Sequence, residues 1–144
     1  MMDTKYDVFI SYASEVKNIA VELEEKLVAA NLQVFRDDSA IKWGDDIVKT
    51  IGRGLSEARG YLLILNEDFY KKGFTTNELS SAFMLFLKSF GENQRYIFPV
   101  LLDDYAKKEW QSFAFSQYIS AIEFEKLQNN YEDMINAIKG KLGK

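Results

Sequence analysis

In the run Tyr70-Lys71-Lys72-Gly73-Phe74-Thr75-Thr76-Asn77-Glu78-Leu79, one carboxylate, Glu78, stands where a helix should begin, just beyond a glycine turn and an aromatic. The chain contains no His and no Cys. That removes Ser-His-Asp and Cys-His nucleophile systems and any Cys/His zinc site, so catalysis must rest on carboxylates, hydroxyls or backbone groups. In the first helical turn the helix dipole favours an ionised carboxylate. The same position suits a glutamate that merely complements the dipole, and the residue pattern alone leaves both roles open.

The elements that must position this carboxylate follow from periodicity. Short apolar, β-rich runs alternate with longer segments of helical period, and Tyr6 to Ser11, Leu32 to Arg36, Tyr61 to Leu65, Tyr96 to Leu102 and Ile119 to Ile122 read as strands. Between the first two, Val16, Ile19, Ala20, Leu23 and Leu27 recur at helical spacing opposite Glu22, Glu24, Glu25 and Lys26, which predicts an amphipathic helix with Ser14 as its N-cap. Ile47, Ile51 and Leu55 mark a second helix, Leu79 to Phe90 a third, and Tyr131, Met134, Ile135, Ile138 and Leu142 the last. Tyr105 to Tyr118 is ambiguous. Alternation of this kind, with central strands as apolar as Tyr61-Leu62-Leu63-Ile64-Leu65, calls for a parallel sheet covered on both faces. The expected fold is therefore α/β, a flavodoxin-like, doubly wound, five-stranded parallel sheet. Pro99, inside the fourth strand, suits that strand's start or an unpaired edge.

The 144 residues, 47% hydrophobic and 15% aromatic, suit one domain over 1–144 with a buried core. A net charge of -4 argues against nucleic acid or an anionic membrane as partner. Apolar runs fall far short of the roughly 20 residues of a membrane span, and no basic-then-apolar leader opens the chain, so the expected compartment is the cytoplasm. No metal is expected.

Open α/β sheets bind ligands at the carboxyl ends of their strands. There the sequence places Ser11-Tyr12-Ala13-Ser14, Asp37 to Asp46, Asn66-Glu67-Asp68 and Asp103-Asp104. No G-x-G-x-x-G or G-x-x-x-x-G-K-[ST] is present, which excludes the usual dinucleotide turn and phosphate loop. A phosphoacceptor receiver would need an acidic pair after the first strand and a lysine ending the fifth, where this chain has Ser11-Tyr12 and Glu123.

Tyr6-Asp7-Val8-Phe9-Ile10-Ser11-Tyr12-Ala13-Ser14, Val34-Phe35-Arg36-Asp37, Trp43-Gly44-Asp45, Tyr70-Lys71-Lys72-Gly73-Phe74 ahead of Glu78-Leu79, and Phe98-Pro99-Val100-Leu101 resemble, in order and spacing, the successive signatures of the TIR (Toll/interleukin-1 receptor) domain. Each motif is weak alone; together they are specific, from about Lys5 to about Leu102. The resemblance is to bacterial, stand-alone TIR domains, many of which cleave NAD at the nicotinamide-ribose bond with a glutamate at the position of Glu78. It implies an NAD glycohydrolase or ADP-ribose cyclase in immune or anti-phage defence, with NAD as substrate and no cofactor.

The resemblance also distributes roles. Phe74 stands where relatives carry a tryptophan lining the nicotinamide pocket, although a hydrophobic staple onto the next helix explains it equally. Phe9, Ser11 and Tyr12 end the first strand at the pocket floor, Phe9 reading as core. Some relatives have arginine at the place of Ala13, and here Arg36 or Lys42 is the substitute for holding phosphate. Trp43, Gly44 and Asp45 lie in the segment that mediates association in TIR domains, with local packing for Trp43 and helix capping for Asp45 or Asp46 as the bland roles. Met84 and Leu85 fall off the apolar stripe of the third helix and suggest either a second buried face or a self-association surface. A sensor or effector module is an expected partner. The competing function is a non-catalytic adaptor acting by TIR-TIR association; a deoxyribosyltransferase-like nucleoside hydrolase leaves Trp43-Gly44-Asp45 unexplained.

Overall fold

The computed structural model describes residues 4–36, 53–54, 56–71, 80, 84, 95–117 and 119–144. Five strands, β1 (Tyr6–Ser11), β2 (Val34–Arg36), β3 (Ala58–Leu65), β4 (Tyr96–Leu101) and β5 (Ile122–Glu123), form one sheet in the order β2-β1-β3-β4-β5. Every pairing is parallel, as the continuous apolar runs require. The order reverses between β1 and β3, which is where a doubly wound sheet opens a crevice.

Helices cover both faces. Against one pack α1 (Lys17–Ala29), α4 (Phe124–Leu127) and α5 (Tyr131–Leu142), burying Leu23, Leu27, Phe124, Met134 and Ile138 on Val8, Ile10, Leu62 and Ile64. Against the other pack α2 (Glu67–Lys71) and α3 (Asp104–Gln111), burying Phe69, Ala106 and Trp110 beside Phe9, Tyr61, Leu63 and Leu65. Both α1 and α5 stop in Schellman caps: Leu32 N–H reaches Leu27 C=O at 3.2 Å with Asn31 at φ 68°, and Lys144 N–H reaches Lys139 C=O at 2.8 Å with Gly143 at φ 74°.

Some boundaries differ from the sequence reading. Ser14 is not the cap of α1; it opens a 3-10 turn, Ser14–Val16, and its hydroxyl donates to Glu15 at 2.6 Å. β3 begins at Ala58 rather than Tyr61, because Ala58 and Gly60 are paired to Tyr6 and Val8 of β1 despite poor strand propensity. β5 lies three residues later than Ile119, which is instead buried under the core. Within the ambiguous stretch, α3 is followed by a 3-10 turn, Ala114–Gln117. Pro99 sits where β4 is paired on one side only, since β5 meets just Val100 and Leu101. The second and third predicted helices fall largely outside the described residues; Arg53, Gly54, Ser56, Glu57, Ser80 and Met84 are helical.

Candidate functional site

At the carboxyl edge, side-chain alternation sends neighbouring residues of one strand to opposite layers. Phe9 stacks on Tyr61, with ring centroids 5.4 Å apart and planes 14° apart, and touches Phe35 at 5.2 Å. It is core. Ser11 follows Phe9 on the same face, and its hydroxyl is buried with no hydrogen-bond partner among the described residues. A buried unsatisfied hydroxyl is costly, so this one is a polar group waiting at the end of β1.

Tyr12 and Arg36 belong to the opposite layer, since β1 and β2 pair Ile10 with Arg36. Tyr12 is fully buried, and its phenolic oxygen accepts a hydrogen bond from Arg36 Nη1 at 3.1 Å. Arg36 Nε donates to Glu24 Oε1 on α1 at 3.3 Å. Burial alone would weaken the Arg36 cation, but the hydrogen bonds to Tyr12 and Glu24 outweigh it and hold the guanidinium above its ordinary range. The fold therefore brings Phe9 and Ser11 together on one side of the strand ends, and Tyr12 and Arg36 together on the other.

Two polar anchors that the sequence reading did not assign shape the rest of this edge. Asn66, 4% exposed at the end of β3, accepts from Phe69 N–H at 3.1 Å and donates to Asp68 Oδ2 at 3.2 Å, capping α2. Asp103, after β4, caps α3 by accepting from Ala106 N–H at 2.9 Å and uses its other oxygen to accept from Glu67 N–H of α2 at 2.9 Å. The signal was available: Asn and Asp at strand exits immediately before helices are N-cap residues. On α2, Tyr70 lies against Phe69 at 5.8 Å and Tyr105 at 5.9 Å. Burial first, then Glu109 and Asp103, hold its phenol above the ordinary range, so it stays neutral.

The carboxylates at the described strand ends are already engaged. Asp68 accepts from Asn66, Asp103 from two backbone N–H groups, and Glu67, Asp104 and Glu123 pair with Lys71, Lys107 and Lys126. Among the described residues no group of His, Cys, Asp and Glu could hold a metal ion, and no helix is long and apolar enough to cross a membrane. Glu78, Phe74, Trp43, Gly44, Asp45 and Leu85 lie outside the described residues. Met84 does not, and its side chain is 46% exposed on a helical residue, which favours a surface over a second buried face.

Comparison with known proteins agrees with this architecture. Residues 8–138 match a family model described as a TIR domain. The chain is 34% identical over 111 residues to the NAD(+) hydrolase TcpA of Theionarchaea archaeon (strain DG-70-1), covering 76% of this chain and 32% of that protein. It is 31% identical over 100 residues to the probable 2' cyclic ADP-D-ribose synthase TcpO of Methanobrevibacter olleyae, covering 69% of this chain and 28% of that one. It thus spans about a third of the length of the curated relatives it matches. In fold it resembles the TIR domain of the Toll-related receptor TRR-2 from Hydra magnipapillata, with a TM-score of 0.58, 16% identity, and coverage of 93% of this chain and 98% of that chain.

Proposed function

We propose, because this chain belongs to the TIR domain family, that it cleaves NAD at the nicotinamide-ribose bond to give nicotinamide and either ADP-ribose or a cyclised isomer. The observation that carries this reading is Glu78, a carboxylate within the matched span and four residues after the aromatic Phe74. The strand-end carboxylates that hold caps and ion pairs have structural work already, which supports assigning the chemistry to Glu78.

One carboxylate suffices for this reaction. The nicotinamide of NAD is a cationic pyridinium, so when the C–N bond breaks the electron pair moves onto the ring nitrogen and a neutral group leaves without a general acid. Positive charge develops on the ribose, and the Glu78 carboxylate stabilises it. Water then adds to the anomeric carbon and loses a proton, giving ADP-ribose; a hydroxyl of the same ADP-ribosyl group adding instead gives the cyclic product. In this reading Phe74 lines the nicotinamide pocket, the Ser11 hydroxyl takes a ribose or carboxamide partner, and Tyr12 with Arg36 builds the phosphate side, while Phe9 supports the strand end from the core. NAD is the substrate and no cofactor takes part. The setting is cytoplasmic defence signalling, with Trp43, Gly44, Asp45, Met84 and Leu85 serving TIR-TIR contacts and a sensor or effector segment supplying the trigger.

The exposure of Met84 favours a second reading, an adaptor that associates and leaves NAD intact. A time course of nicotinamide release at several protein concentrations separates the two. The wild type should release nicotinamide, with activity per molecule rising with concentration, and Glu78→Gln should reduce the rate by about a hundredfold or more while remaining folded. A Glu78→Gln protein as fast as wild type rejects Glu78; a wild type that leaves NAD untouched at every concentration rejects catalysis.

A further inference from the structure

Three polar or charged residues are buried among those described, Asp7, Ser11 and Asn66. Two of them are engaged. Asp7 accepts from Gln33 N–H at 2.8 Å and pairs with Lys144 at 3.0 Å, and Asn66 accepts from Phe69 N–H at 3.1 Å while donating to Asp68 at 3.2 Å. Ser11, 3% exposed, is the exception: its hydroxyl is buried with no hydrogen-bond partner among the described residues. A hydroxyl so placed destabilises the fold, because it has left water without replacing the bonds it made there. Its position is specific. Ser11 ends β1 at the carboxyl edge, beside the point where the strand order reverses between β1 and β3, and open α/β sheets take their ligands at such a point.

The surroundings of this hydroxyl restrict what can answer it. Strand alternation puts Ser11 on the face of Phe9, and the parallel register pairs Ser11 with Leu63 and Phe9 with Tyr61, with Phe9, Tyr61 and Leu63 all fully buried. The layer there is aromatic and apolar. Arg36 and Tyr12 belong to the opposite layer. A ribose brings several hydroxyls and, during bond cleavage, a developing positive charge, so it needs several polar partners. The nicotinamide ring is flat and carries one polar substituent, its carboxamide. A lone hydroxyl at the end of an apolar layer matches that substituent.

We propose that Ser11 is a specificity-determining residue whose hydroxyl hydrogen-bonds the carboxamide of the nicotinamide ring, an assignment that rests on the NAD-cleaving reading above. The carboxamide offers a carbonyl that accepts and an amino group that donates, and a serine hydroxyl serves either. The bond missing from the fold is made when substrate is present, so Ser11 gives up stability in favour of selectivity.

Two measurements on wild type and Ser11→Ala test this. The first is kcat/KM for NAD and for pyridine adenine dinucleotide, the analogue whose ring lacks the carboxamide. The two leaving groups differ in reactivity, but that difference cancels when the effect of the substitution is compared between substrates. Ser11→Ala should lower kcat/KM for NAD about tenfold and leave that for the analogue within about twofold. An equal loss on both substrates puts the hydroxyl on another part of the dinucleotide, and no loss on either removes it from recognition; each result overturns the proposal. A wild type that cleaves neither substrate at any protein concentration rejects the NAD-cleaving reading itself, and this assignment with it. The second measurement is thermal unfolding without ligand. Ser11→Ala should melt level with the wild type or up to about 3 °C above it, since the deleted hydroxyl has no bond to lose. A Tm several degrees lower shows that the hydroxyl is bonded within the fold and overturns the proposal at its premise.

Discussion

Asp103 joins two helices through two different oxygens, which allows its contributions to be separated by substitution. Asp103→Ala removes both bonds. Losing the cap on Ala106 N–H costs about 1 kcal/mol. The bond to Glu67 N–H, at a more exposed position, adds about another 1 kcal/mol. Asp103→Asn keeps the cap through its carbonyl oxygen but turns an amide NH2, which cannot accept, toward Glu67 N–H. It should lose only the second amount. With about 2.1 cal/mol/K of unfolding entropy per residue, 144 residues give roughly 0.3 kcal/mol/K, so Tm should fall about 7 °C in the Ala variant and about 3 °C in the Asn variant. Differential scanning calorimetry of the three proteins reads this directly. An Asn variant as damaged as the Ala variant, or an Ala variant within 1 °C or so of wild type, would refute the assignment of separate roles to the two oxygens.

A Cβ added at Gly54 would overlap the Tyr61 ring and crowd Phe9, both fully buried and stacked on each other, so Gly54→Ala should cost about 1–3 kcal/mol in urea unfolding despite its better helix propensity. A stabilised variant would show that the helix can lift away freely. At alkaline pH, burial and then Glu22 push the Tyr131 phenol up to about 12, and Tyr70 is raised as well. Groups raised in the fold contribute stability below their ordinary value near 10, and that stability is lost as pH climbs through the folded values. Stability should therefore decline from about pH 10 upward in step with tyrosinate absorbance, and Tyr131→Phe should flatten the decline; an unchanged slope in that variant would remove Tyr131 from the account.

The layered fold was legible because its signals are local. The apolar run Tyr61 to Leu65 and the helical spacing of Val16 to Leu27 each announce an element without reference to the rest of the chain. What escaped was set by tertiary context. Ala58-Arg59-Gly60 has little strand propensity and extends β3 because β1 pairs with Ala58 and Gly60 and β4 joins at Gly60. Ile119 looked like strand from its apolar character, yet it fills the core beside Phe113 and the paired backbone begins later, at Ile122. At the carboxyl edge, residue types at the strand ends were readable, but which layer each faced depended on register. The bond between Arg36 and Tyr12 joins positions 24 residues apart, and no spacing rule reports it. Asn66 and Asp103 were visible as polar strand exits, and their capping roles needed only the helix starts to be placed one residue downstream.

Among the described residues the outermost strands of the sheet are its shortest, three residues in β2 and two in β5, while the interior β3 runs for eight. Within the described residues a rim that brief presents few unpaired amides and carbonyls as a template for extending the ladder. Short edges of this kind limit strand-to-strand pairing between copies crowded together, as the proposed TIR-TIR contacts would crowd them. The proposed contacts then fall to side chains, and Met84 is one that stands exposed.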